Sequence, residues 1–245
     1  MLDVGPKEEG TAIGTCQTGE VAGEVRGSEV SGVLERVAEL GPYFELATED
    51  VSGDAAWRAF PGGVGPLREV ARDHAGRLGT DETRVAASLL FQGLAARIWS
   101  PVVAAGSLGV VPDLSGLRWR GAPGEPIMLG LADVRGWRVG SAAEAVEIVH
   151  PMVVDGLLRP LRDAMLGFVK LADGLVWGNA ASALAGSLNV GGADPGRAAI
   201  VRALLAREPL AGAGSFGSRG FVRNNCCLYY RVPGGGMCGD CGLVR

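Results

Sequence analysis

Arg223-Asn224-Asn225-Cys226-Cys227-Leu228-Tyr229-Tyr230-Arg231-Val232-Pro233-Gly234-Gly235-Gly236-Met237-Cys238-Gly239-Asp240-Cys241 holds four of the chain's five cysteines. They read as a vicinal pair, a gap of ten residues and a Cys-x-x-Cys. Four thiols gathered at one end of a chain otherwise nearly free of cysteine point to one four-thiolate metal site.

Three chemistries compete for these thiols. Disulfides need an oxidising compartment. The chain opens Met1-Leu2-Asp3 with neither a basic start nor an apolar run behind it, so no secretory signal and a cytoplasmic location are expected. Neighbouring cysteines also bridge each other poorly, because a disulfide fixes the spacing and direction of the two Cβ atoms. Structural zinc suits a Cys-x-x-Cys, but its knuckles use spaced ligands, and Cys226-Cys227 is not spaced. The two histidines, His74 and His150, lie far away in sequence, which removes a His₂Cys₂ Rieske-type centre. A [2Fe–2S] cluster takes four thiolates, two on each iron. Cys238 and Cys241 clamp one iron in this reading, and Cys226 and Cys227 hold the other. Gly239 and Gly242 let backbone N–H groups turn toward the sulfurs. Side chains alternate along an extended strand, so the vicinal pair requires a bent backbone. Which thiol serves which iron stays open.

The segment Cys226-Cys227-Leu228-Tyr229-Tyr230-Arg231 with Gly236-Met237-Cys238-Gly239-Asp240-Cys241 resembles the C-terminal signature of the FhuF-like ferric-siderophore reductases. The upstream Trp177-Gly178-Asn179-Ala180-Ala181-Ser182-Ala183-Leu184 is similar to that family as well. The resemblance implies a [2Fe–2S] cluster with Cys226, Cys227, Cys238 and Cys241 as its ligands. It further implies one-electron reduction of a cytoplasmic Fe(III)–siderophore, of hydroxamate type, releasing Fe(II). The first half of the chain resembles no family.

The remaining sequence is that of a globular protein. It has 245 residues, 47% hydrophobic and 20% charged. A net charge of −4 leaves no basic footprint for nucleic acid. The apolar run 89–111 is interrupted by Arg97 and Pro101, and reads as a buried helix followed by a strand, not a membrane span.

Residues 1–27 show no apolar period and read as a flexible tail containing Cys16, an unligated thiol. Ser28 is expected to cap a helix with Val30, Val33, Leu34, Val37 and Leu40 on one face, stopped by Gly41-Pro42. Residues 43–80 are ambiguous, with turns at Gly62-Gly63 and Gly65-Pro66. Thr80-Asp81-Glu82 starts a helix whose face is Val85, Ala86, Leu89, Leu90, Leu94 and Ile98, broken or kinked at Ser100-Pro101. Residues 108–111, 117–120, 127–131 and 137–139 predict one small antiparallel sheet. Ser141 and Glu144 form a capping box for a helix to about Val149, and a second helix, kinked or started by Pro160, runs to about Leu171. Residues 175–188 form a helix striped by Trp177, Ala180, Ala181, Leu184 and Leu188. Asp194-Pro195 opens another, carrying Ile200, Val201, Leu204 and Leu205. The expected fold is α+β: one mainly helical domain over 28–245 with a small antiparallel sheet and a cysteine-rich cluster segment at 223–245.

Gly212-Ala213-Gly214-Ser215-Phe216-Gly217 spells the dinucleotide-binding motif but lacks its strand-to-helix setting, so it reads as a flexible connector. Trp177 reads as a core residue, not a substrate contact, and His74 and His150 as structural or solvated. Arg219, Arg223, Arg231 and Arg245 surround the cysteines against one acid, Asp240. Cations beside a negatively charged cluster raise its potential, so Arg223 and Arg231 are expected to tune it. No nicotinamide or flavin site is recognisable. The partners expected are a ferric siderophore and an external electron donor, a ferredoxin-like protein or a reductase. The alternatives are a non-enzymatic siderophore-binding or iron-handling protein with a structural zinc, and an iron–sulfur redox sensor.

Overall fold

A computed structural model describes residues 23–122, 124–218 and 220–243. Cys16, Arg219, Arg245 and most of the expected tail lie outside the described residues. The tail's last residues are structured. Glu24–Val25 forms β1, and α1 spans Gly27–Ala38. The N-cap of α1 is Arg26, with no side-chain bond, so Ser28 lies inside the first turn and does not cap it. The buried face Val30, Val33, Leu34 and Val37 is the one expected; Leu40 lies beyond the helix, half-buried against the core.

The ambiguous stretch contains a short strand, β2 (Arg58–Ala59), and a full helix, α2 (Val64–Leu78). Only Leu67, Val70 and Ala71 of α2 are buried. That stripe is too narrow to stand out in sequence, and Gly65-Pro66 sits in the first turn, where proline costs little because the N–H is unbonded anyway. Gly79, left-handed at φ 65°, closes α2.

The centre of the molecule is α3, Thr83–Ser107. Residues 90, 91, 94, 95, 98, 99 and 101–106 are all buried, so α3 is apolar around its circumference, with neighbours on every side. Leu89, expected on its inner face, is only half-buried. The helix also runs through Pro101 instead of ending there. A proline inside a helix costs about 3 kcal/mol. Burying one large side chain recovers about 1.5–3 kcal/mol, and Phe91, Ile98 and Trp99 are each fully buried.

The expected single sheet is two. β3 (Val110–Pro112) pairs with β6 (Gly136–Arg138), which pairs with β1; β4 (Leu117–Arg120) pairs with β5 (Met128–Leu131) and with β2. All these pairings are antiparallel. Partners as distant as Glu24 and Trp137 face each other, a register that no local pattern encodes.

Ser141 caps α4 (Ala142–His150), accepting from Glu144 N at 3.2 Å, while the Glu144 carboxylate accepts from Gly140 N at 2.8 Å. The next two expected helices are one continuous path. A π-helical stretch, Pro151–Leu158, leads straight into α5 (Arg159–Leu166), so Pro160 sits at a helix start and there is no break. α6 spans Asp173–Gly186 and packs along α3. α7 spans Pro195–Leu205, with Asp194 as the expected N-cap accepting from Arg197 N at 2.9 Å. The glycine-rich segment is not a free connector. Gly214–Gly217 is β7, paired with β8 (Gly220–Arg223). Phe216 and Phe221 meet edge-on across this hairpin, with ring centres 5.4 Å apart. The fold is α+β and mainly helical, and the cysteines follow β8 at its C-terminal end.

Candidate metal centre

β8 delivers the chain to Arg223, whose backbone N donates to Asp240 O at 3.1 Å. This bond ties the two halves of the cysteine segment together. Between them the chain reverses. Leu228 takes a left-handed backbone at φ 71°, uncommon for a branched side chain. The same turn aims Leu228 N–H at Cys226 Sγ, 3.3 Å away. A short 3₁₀ turn, Tyr229–Arg231, and the Pro233–Gly236 loop carry the chain back to Cys238. Cys241 N then donates to Cys238 O at 3.2 Å, closing the Cys-x-x-Cys turn.

All four cysteines are free thiols; Cys227 and Cys241 are buried, and Cys226 and Cys238 half-buried. Burial raises the Cys226 and Cys238 thiols above their ordinary range. Cys227 raises both further, by hydrogen bonding and charge at Cys238, and Cys241 adds to the effect at Cys226; Arg223 opposes it at both. Cys226 thus feels Cys227 and Cys241, and Cys238 feels Cys227. Left bare, the Cys226 and Cys238 thiols stay protonated. A bound metal removes the proton from a coordinating thiol, so the donor set suits a cationic centre.

Among the described residues, no three Cys, His, Asp or Glu side chains gather as closely as one metal ion requires. A [2Fe–2S] group takes four thiolates, and the four buried or half-buried thiols of this segment supply that donor set.

Sequence reasoning missed the scaffold behind the thiols. Asn179, in the middle of α6, is completely buried. Its amide donates to Ser88 O and Ser88 Oγ of α3, both at 2.9 Å. Ser88 Oγ donates to Cys227 O at 2.8 Å. Arg223 Nη1 donates to Asn179 Oδ1 at 2.7 Å, and Arg223 Nε to Asp240 Oδ2 at 3.0 Å. One chain of bonds therefore joins α3, α6, β8 and both halves of the cysteine segment. The sequence signal was a lone amide inside an apolar helix, since a buried polar group must find partners. Glycines complete the fit. A Cβ on Gly242 would strike the Arg223 carbonyl, and one on Gly178 would press on Asn225 Cβ at 3.3 Å.

The expected arginine pair divides. Arg223 is buried among the cysteines. Arg231 turns to Glu82, 2.9 Å away, which neutralises its charge at the start of α3. Trp177 is 8% exposed and lies beneath the Arg159 guanidinium, 5.4 Å from its centre, a core position. His150 binds the Glu208 carbonyl at 2.8 Å.

A cleft of about 720 Å³ opens beside the cysteines. Cys227 and Cys238 form one wall, Leu89 and Gln92 of α3 the floor, and Phe216 and Phe221 of the β7–β8 hairpin another side. Gln92 Nε2 donates to Ser182 Oγ at 3.1 Å, while its Oε1 is buried without a partner.

No curated protein matches this chain. Residues 223–242 match the FhuF 2Fe-2S C-terminal domain, and the cofactor that this match supports for the cysteine segment is a [2Fe–2S] cluster.

Proposed function

We propose that Cys226, Cys227, Cys238 and Cys241 hold the cluster and that the protein reduces the iron of a ferric siderophore by one electron. The observation that carries this reading is the cleft, which brings a chelate-sized space against Cys227 and Cys238. When bound, a [2Fe–2S] cluster supplies single-electron transfer. The chain's own residues do the rest. Ser88, Asn179 and Arg223 fix the cysteine segment on two core helices. Phe216 and Phe221 offer apolar walls to an organic chelate. Asp240 is the single charged side chain on the cleft among the described residues, and Arg223 pairs with it. Such walls suit an uncharged complex, as Fe(III) forms with three hydroxamates.

The substrate iron gains one electron and passes from Fe(III) to Fe(II). Hard oxygen donors hold the less charged ion more weakly, so the metal leaves without an acid, base or nucleophile. A ferredoxin-like protein or a reductase returns the electron in the cytoplasm. Anaerobic reduction followed by one addition of ferric trihydroxamate and an Fe(II) trap tests this. Fe(II) should form in proportion to reduced protein, with the visible spectrum returning to its oxidised form. A rate equal to the protein-free control would overturn the activity. A colourless protein containing zinc and no acid-labile sulfide would overturn the cluster.

A further inference from the structure

The cysteine cleft does not end at α3. It shares Tyr43, Leu89 and Gly93 with a second hollow of about 400 Å³ on the far side of that ridge. The two differ in charge. The cleft's Asp240 is neutralised, whereas the second hollow is lined by His74, Arg77 and Arg97 and by no carboxylate among the described residues.

These three groups are not equal. Arg77 pairs with Asp73 at 3.1 Å. Burial lowers the pKa of His74, which leaves it chiefly a neutral hydrogen-bonding ring near pH 7. Arg97 stands apart. Its guanidinium lies 4.3 Å from the centre of the Tyr43 ring, and Nη1 donates to Pro42 O at 3.1 Å. No carboxylate pairs with it among the described residues. An arginine has five N–H donors in a planar fork that matches a carboxylate, and one protein carbonyl uses only one of them. Tyr43 belongs to both hollows, so the cation stacked on it stands at their junction.

We propose that Arg97 is a specificity-determining residue: the second hollow receives a carboxylate carried on the organic part of the chelate whose iron lies in the cysteine cleft. The proposal rests on the siderophore reading above and adds the charge of the preferred ligand. Neutral contacts serve the metal core, and a charge-assisted contact in the adjoining hollow serves the substituent. The result is a preference for chelates bearing one peripheral anion over neutral ones of the same core.

Gallium(III) complexes test this apart from reduction, because gallium is not reduced under these conditions. Cluster-loaded protein is titrated calorimetrically with a gallium trihydroxamate and with the same ligand carrying one free carboxylate. The carboxylated complex should bind about tenfold more tightly, the scale of one hydrogen bond to a charged group, and added salt should erode the difference. Arg97→Gln should abolish the preference, bringing the two complexes to equal affinity; Arg97→Lys should restore part of it. Equal binding of the two complexes by the native protein would overturn the role of Arg97 and leave the reductase intact, as would a preference that survives Arg97→Gln. Failure of both complexes to bind would overturn this inference, and Fe(II) release in the single-turnover assay then decides the reductase reading separately.

Discussion

Arg223 is the residue on which chemistry and stability meet. It is a buried cation bonded to Asp240 and Asn179, with Nη2 left unpartnered. Its positive charge favours the more negative, reduced cluster. Arg223→Gln should therefore lower the midpoint potential, read by redox titration of the visible or paramagnetic signal, and Arg223→Lys should lower it less. Arg231→Ala should leave the potential nearly unchanged, because Glu82 already balances that charge. The sequence placed both arginines beside the cysteines, but only the folded chain separates one that faces the thiols from one that turns away. Asn179→Ala should be costly by another route. It leaves Arg223 Nη1 and the Ser88 groups without their buried partner, at about 1–3 kcal/mol for each unsatisfied group. Chemical denaturation of the loaded protein should show a loss of at least that size.

At the level of elements, the cysteine segment is held by close backbone approach as much as by side chains. Gly242 lies against the Arg223 carbonyl with no room for a Cβ. Gly242→Ala should displace Cys241 from its partners and reduce bound iron and sulfide, while helical circular dichroism stays near the native value. The helix starts behave more locally. Asp194 caps α7 through the Arg197 N–H and also accepts from Ser107 Oγ at 2.9 Å. Burial works to raise its carboxyl pKa, but these two bonds and the Arg197 charge outweigh it and leave the value lowered. A group with a folded pKa below its unfolded one stabilises the fold above the unfolded value, and that contribution is lost as pH falls through the folded value. Asp194→Asn keeps a good capping side chain but removes the titration. Its stability should fall less than the native protein's between pH 6 and pH 3, as measured by urea denaturation at each pH.

For the whole molecule, the apolar core and the metal segment are separable. The core cluster runs from Val25 to Ala213 and contains none of the cysteines. Removing the metal should therefore disorder residues beyond β8, seen as faster proteolysis near the C-terminus, while α3 and its neighbours remain folded. A cooperative loss of all helical signal on chelation would contradict this separation.

Periodicity and capping chemistry were enough to locate α1, α4, α6 and α7 to within a few residues, because those signals lie within one or two turns. The cysteine spacing likewise announced a four-thiolate metal segment, and the resemblance carried by those residues implied an iron–sulfur cluster, since ligand type and order are local properties. Distant partners were beyond reach of the sequence. α2 hid because three buried residues make a faint stripe, Pro101 did not break α3 because packing around that helix outweighs one missing hydrogen bond, and the strands divided into two sheets through pairings as remote as Glu24 with Trp137. What tertiary structure alone decided is the setting of the thiols: Ser88, Asn179 and Arg223 are separated by 91 and 44 residues along the chain. They form one network only because α3 and α6 pack together and a buried amide has no water to turn to.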